Sequence, residues 1–96
     1  MSVYEMLKLR RDDIYRLASR YGVTRIRIFG SVSYERESPS SDIDLLVDVD
    51  EDRSLLDLAL LSNVLEDEFG RKIDIVTEPA LHPRLRQQIL KEAILL

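Results

Sequence analysis

The chain reads as a small α/β (α+β) domain, a mixed sheet of about three strands flanked by helices. Three observations predict this. Residues 43–49 and 72–77 are rich in branched apolar residues and read as strands. Between them, residues 54–69 carry apolar residues at helical spacing. A further stretch, residues 25–29, alternates polar and apolar side chains before a glycine. Strands separated by helices imply a sheet covered by helices.

In chain order, residues 2–21 read as one helix. Ser2 and Glu5 have capping-box spacing, and Val3, Met6, Leu7, Ile14, Leu17 and Ala18 roughly follow the helical period before Gly22. Arg25, Ile26, Arg27, Ile28 and Phe29 form the first strand, ending at Gly30. Residues 31–36 have the length of one or two helical turns, and residues 37–41, with Pro39, read as a loop. In the next strand Ile43, Leu45, Val47 and Val49 share one face. Ser54 starts a helix whose stripe is Leu55, Leu58, Leu61, Leu65 and Phe69, with Gly70 as its stop. After the third strand, residues 79–83 form a turn. Residues 84–95 form a last helix with Leu85, Ile89, Ala93 and Leu96 on its apolar side, serving the core first and a partner second.

With 96 residues the chain has room for one compact domain, residues 1–96, and a small core. Hydrophobic residues at 45 % and charged residues at 33 % argue against disorder. A formal net charge of -4 gives no basic surface for direct nucleic-acid binding. The absence of cysteine excludes disulfides and thiolate metal sites. No apolar run is long enough to span a bilayer, and the N-terminus lacks a signal-peptide stretch, so a cytoplasmic location is expected.

The chemistry concentrates in IFGSVSYERESPSSDIDLLV, residues 28–47. Asp42 and Asp44 are two apart at the start of a strand and would point to the same side. Close carboxylates raise each other's pKa unless a cation lies between them, and a hard divalent ion is the natural one. Asp74 lies between Ile73 and Ile75 in the third strand, facing away from them. A helical crossover favours parallel pairing of the second and third strands, which would set Asp44 beside Asp74. If the first strand runs antiparallel to the second, Gly30 and Ser31 meet the end carrying Asp42. A glycine turn there can offer N–H groups to phosphate oxygens, so metal and phosphate sites would converge.

The pattern G-S-x10-D-x-D with a third-strand aspartate resembles the nucleotidyltransferase superfamily of DNA polymerase beta. The short length and the ending ILKEAILL resemble its minimal branch, the MntA-type antitoxins of HEPN/MNT toxin–antitoxin systems. The resemblance covers nearly the whole chain. It implies the nucleotidyltransferase fold, with Gly30 and Ser31 holding the β- and γ-phosphates of ATP. It implies Mg²⁺ on Asp42 and Asp44, with Asp74 completing a second metal position and helping to deprotonate an attacking hydroxyl. AMP would pass to a protein hydroxyl, a tyrosine of a separately encoded HEPN toxin. The chain lacks the R-x4-6-H motif of such a toxin, because His82 has no arginine at that upstream spacing. Where many relatives carry Arg-Gly, this chain has Tyr34-Glu35, with Arg36 two positions along. That departure supports an alternative, a catalytically weak antitoxin that neutralises its partner by contact. A free-standing transferase for small molecules fits less well, since such relatives have additional substrate-binding structure.

Other residues weigh less. Arg36 reads equally as a phosphate ligand and as a surface arginine. Asp48, Asp50, Glu51 and Asp52 read as a solvated acidic run, and His82 as a surface residue. Tyr34 suits either stacking on a base or covering the core edge. A core this small is also compatible with a homo-oligomer that shares an apolar patch.

Overall fold

The computed structural model describes residues 2–30 and 42–96. Helices α1 (Val3–Leu9) and α2 (Arg11–Ser19) lead into strand β1 (Val23–Phe29). Strand β2 (Ile43–Val49), helix α3 (Leu55–Phe69) and strand β3 (Ile73–Thr77) follow. A 3-10 turn (Glu78–Ala80), helix α4 (Pro83–Glu92) and a short strand β4 (Ile94–Leu95) complete the order. The sheet runs β3-β2-β1-β4, with β2 and β3 parallel and the other pairs antiparallel.

The sequence pattern suggests one helix over residues 2–21, but the chain breaks at Arg10 (φ -102°, ψ 17°). Ser2 caps α1 by accepting a bond from the Glu5 N–H at 3.1 Å. The run Arg10-Arg11-Asp12-Asp13 contributes no apolar residue, so nothing in the core holds a straight helix there. Arg10 instead bonds Glu68 at 2.9 Å and lies over the Phe69 ring, tying the break to the end of α3. Asp12 and Asp13 then fall in the first turn of α2, where the helix dipole favours acids.

Helix α3 begins with a reciprocal box between Ser54 and Asp57 and ends at Gly70, whose φ of 65° is left-handed. Leu58, Leu61 and Leu65 are its buried stripe. Leu55 is 77 % exposed, because it precedes the first turn that reaches the sheet.

The last helix is shorter than the pattern suggests. Residues 84–95 do not form one helix. It stops at Glu92, and Ala93 turns extended at φ -62°, ψ 134°. Ile94 and Leu95 then pair with Ile28 and Arg27 as a fourth strand. The gain is burial of Leu96, which is only 3 % exposed. Its N–H donates to the Ile26 carbonyl, and its carbonyl accepts from Tyr15 Oη and Arg11 Nε, each at 3.2 Å. Leu85, expected in the core, is 52 % exposed, and α4 contributes no buried residue. His82 caps α4, its Nδ1 accepting from the Arg84 N–H at 3.1 Å. Among the described residues no helix is long and apolar enough to cross a membrane.

One core cluster joins Val3 and Leu7 of α1, Ile14 and Ala18 of α2 and the α3 stripe to Ile26, Ile28, Ile43, Leu45, Val47 and Ile73. These strand residues alternate, so α1, α2 and α3 cover one sheet face. The alternate positions, including Asp44, Leu46, Asp48, Arg25, Arg27 and Asp74, lie on the other. That second face carries the site.

Candidate active site

Strand pairing brings the acidic residues together. In the β2–β3 register Asp44 stands directly beside Asp74, flanked by the Ile43–Ile73 and Leu45–Ile75 pairs. The isoleucine and leucine partners are drawn into the core, and this forces both aspartates onto the opposite face. On the other side Asp44 pairs with Phe29, the last residue of β1. Gly30 follows immediately.

Gly30 has a φ of 75°, a conformation that side-chain-bearing residues rarely adopt. A Cβ added there would collide with Asp44 Oδ2. The Gly30 backbone therefore lies against the carboxylate, and only a residue without a side chain permits that approach. Asp42, just before β2, is half-buried and acts electrostatically on Asp44.

Asp44 records the effect of this crowding. Partial burial, then the charge of Asp74, then that of Asp42 push its carboxyl from 3.8 up to about 6. Among the described residues no cation neutralises it, and no three acidic side chains are already drawn into a ready-made ion cage. The donor set consists of hard oxygens at the starts of two neighbouring strands, beside the glycine that follows β1. Such a set suits a hard divalent cation and the phosphates it would bridge.

Four of the residues singled out in the sequence, Gly30, Asp42, Asp44 and Asp74, come together at one end of this face. Ser31 and Arg36 lie outside the described residues, as do Tyr34 and Glu35 and the helical turns and loop expected over residues 31–41.

The sequence reading missed the role of Asp48. It is not part of a solvated turn but the penultimate residue of β2, on the face of Asp44. It pairs with Arg25 at 3.3 Å and Arg27 at 3.7 Å. Alternation would have revealed this, since Arg25 and Arg27 are spaced to meet every second residue of an antiparallel β2. Arg27 is largely covered, and among the described residues its Nε has no hydrogen-bond partner. Nearby, Arg86 bonds Glu78 at 2.7 Å. This bond holds the Glu78 carboxyl below its ordinary range against an opposing desolvation, with further help from the charges of Arg86, Arg27 and Arg25. An open cavity of about 440 Å³ lies here, lined by Val47, Asp48, Val49, Thr77, Glu78, Pro79 and Arg86. It sits at the far end of the strands from Asp44 and Asp74. Charge convergence rather than concavity identifies the candidate centre.

The chain is similar to known proteins in sequence and fold. The profile of the nucleotidyltransferase domain matches residues 14–96. A protein of Methanocaldococcus jannaschii with the provisional name of protein adenylyltransferase is 43 % identical over 78 % of this chain and 81 % of its own length. The protein adenylyltransferase MntA of Thermococcus cleftensis is 35 % identical over 81 % of this chain and 79 % of its own. A solved structure described as a minimal nucleotidyltransferase superposes with a TM-score of 0.84 at 47 % identity, covering 100 % of this chain and 97 % of the other. A toxin–antitoxin crystal structure with AMP-PNP shares the fold, with a TM-score of 0.73 at 22 % identity over 88 % of this chain and 69 % of the other.

Proposed function

The chain belongs to the nucleotidyltransferase domain family, and from that premise we propose that it transfers AMP from ATP to a hydroxyl of a partner protein. It is a nucleotidyltransferase whose relatives are named protein adenylyltransferases. The finer reading assigns Asp42, Asp44 and Asp74 to Mg²⁺ and catalysis, and Gly30, Ser31 and Arg36 to the triphosphate. The partner is a toxin of the HEPN class and the acceptor a tyrosine. The toxin–antitoxin solved with AMP-PNP, which shares the fold, supports a nucleotide ligand and a toxin as partner.

One observation carries the reading. Asp44 and Asp74 are registered side by side, with Gly30 packed against the Asp44 carboxylate. Asp44 is costly to ionise in that position, which is the state expected of a carboxylate whose counter-ion arrives with the substrate. Bound Mg²⁺ would supply charge neutralisation for the triphosphate and a fixed orientation of its α-phosphoryl group. The chain's own residues supply the rest. Gly30 lets the phosphates approach the end of β1 closely, because it carries no side chain. The Asp74 carboxylate, on the neighbouring strand, takes the proton of the acceptor hydroxyl. The hydroxyl oxygen bonds to the α-phosphorus in line, the bond from that phosphorus to the bridging oxygen breaks, and pyrophosphate leaves. Catalysis then rests on positioning and charge rather than on a covalent enzyme intermediate.

The test is transfer of label from α-labelled ATP to a co-expressed toxin partner. Labelling by the wild-type chain, abolished by Asp42→Ala with Asp44→Ala, is the expected result. Absence of labelling, with neutralisation of the toxin unchanged by the same pair, would favour the contact-binding antitoxin instead.

A further inference from the structure

Strand β3 carries Asp74 yet, among the described residues, lies at the edge of the sheet with β2 on one side only. In a strand, successive residues direct their N–H and C=O groups to opposite sides. Lys72 bonds inward, its carbonyl accepting from the Ile43 N–H at 2.9 Å. Ile73 therefore presents its backbone groups outward, where no strand of the described residues lies. An unpaired edge at this point would leave the start of β3 free to fray.

Helix α3 closes that edge with side chains. The Ile73 N–H donates to Glu66 Oε2 at 2.9 Å, and Ser62 Oγ donates to the Ile73 carbonyl. Ser62 and Glu66 are one helical turn apart and stand 3.4 Å from each other. Both backbone groups of the residue preceding Asp74 are thus gripped from a helix anchored in the core by Leu58, Leu61 and Leu65. Below Ile73 the buried side chain is locked as well, at 1 % exposure.

We propose that Ser62 and Glu66 are positioning residues for Asp74, holding it level with Asp44 by fixing the backbone of Ile73. This rests on the reading of Asp74 as a member of the metal-binding set. Neither side chain touches the reacting atoms. Their effect is to keep an edge-strand carboxylate within the narrow range of positions that a shared cation tolerates. A carboxylate set that is only loosely supported binds its ion more weakly by about ten- to a hundredfold.

Two measurements on the intact chain test this. The first is amide hydrogen exchange at Ile73. Glu66→Ala is expected to accelerate it about tenfold while exchange at Ile26 and Leu45 in the sheet centre stays unchanged. The second is Mn²⁺ titration in the presence of AMP-PNP. Glu66→Ala is expected to weaken Mn²⁺ about tenfold, whereas Glu66→Gln, whose amide oxygen still accepts from Ile73, stays within about twofold of wild type. Ser62→Ala removes only the carbonyl's partner and serves if Glu66→Ala fails to fold, with the same direction and a smaller size. Unchanged Ile73 exchange, or accelerated exchange with unaltered Mn²⁺ affinity, would overturn the proposal. Asp74→Asn in the same titration separates the two readings. If it leaves Mn²⁺ affinity intact, the metal role of Asp74 fails; if it weakens Mn²⁺ and Glu66→Ala does not, only the positioning role fails.

Discussion

The second face of the sheet holds two groups of acids at opposite ends of the same strands, and they meet opposite fates. At one end Asp48 is met by Arg25 and Arg27, and Glu78 by Arg86, so the charge is balanced within the chain. At the other, Asp44 faces Asp74 and Asp42 and is pushed up to about 6. Asp44 and Asp48 lie on one strand and one face, four positions apart, and differ in what the neighbouring strands place opposite them. β1 offers Arg25 to Asp48 but Phe29 to Asp44, and β3 offers Asp74 to Asp44. The lesson is that an acidic residue in this fold is structural where the chain supplies its counter-ion, and a candidate for chemistry where the chain withholds it.

The largest effect that would sharpen this contrast is on transfer. Asp44→Asn is expected to lower AMP transfer on the order of 10²–10³-fold, the usual cost of removing one element of charge stabilisation. Asp48→Asn should leave transfer within about threefold. Label transfer under single-turnover conditions compares the two. A similar loss in both variants would erase the distinction between the ends.

Gly30→Ala comes next. The new methyl must sit at a φ of 75° and collide with the Asp44 carboxylate. About 1–2 kcal/mol of stability should be lost, from the backbone conformation alone. Transfer should fall about tenfold or more as Asp44 is displaced. Urea denaturation reads the first effect and label transfer the second. A variant as stable and active as wild type would show that Gly30 does not pack on Asp44.

The pH dependence of stability isolates the uncompensated end. Asp44 holds its proton in the folded chain up to about pH 6, whereas in the unfolded chain it ionises near 3.8. Between those values the folded state binds more protons than the unfolded state. Its contribution to stability is therefore fully present below about pH 4, falls as pH rises through 6, and then levels off. Because the group is only half-buried, solvent screening reduces the difference to about 1–2 kcal/mol. Asp44→Asn should be more stable than wild type at pH 7 by about that amount and lack the decline. Denaturation at pH 4 and pH 7 checks both statements. Mg²⁺ should stabilise wild type at pH 7 and leave Asp44→Asn unaffected.

The smallest effect is expected at the balanced end. Asp48→Asn breaks two partly exposed ion pairs and should cost about 0.5–1 kcal/mol, shrinking with added salt. Thermal melting at low and high ionic strength measures it. A cost of several kcal/mol would mean that the pairing with Arg27 is more than a surface contact.

Much of this was legible because the site follows from alternation. The bounds of β2, Ile43–Val49, agree with its pattern of branched residues, and helix α3 announces itself by its capping serine and closing glycine. Once β2 and β3 are joined by that helix, parallel pairing sets Asp44 beside Asp74 with little freedom left. What escaped notice depended on contacts distant in sequence. The break at Arg10 is held by Glu68 and Phe69. The strand at Ile94 and Leu95 exists because the edge of β1 and a core position for Leu96 outcompete the helical pattern of the last turn. Leu55 and Leu85 match their helical stripes in spacing but stay exposed, at 77 % and 52 %. Ser62 and Glu66 look like ordinary polar residues of a helix until the outward groups of Ile73 are counted.

On this account Asp42, Asp44 and Asp74 form one cation-dependent nucleotide centre. Calorimetric titration of AMP-PNP into the chain, in Mg²⁺ and again in EDTA, tests it most directly. Binding that needs Mg²⁺ and disappears in Asp44→Asn with Asp74→Asn is the predicted result. Equal affinity in Mg²⁺ and EDTA, or binding unchanged in that double variant, would contradict it.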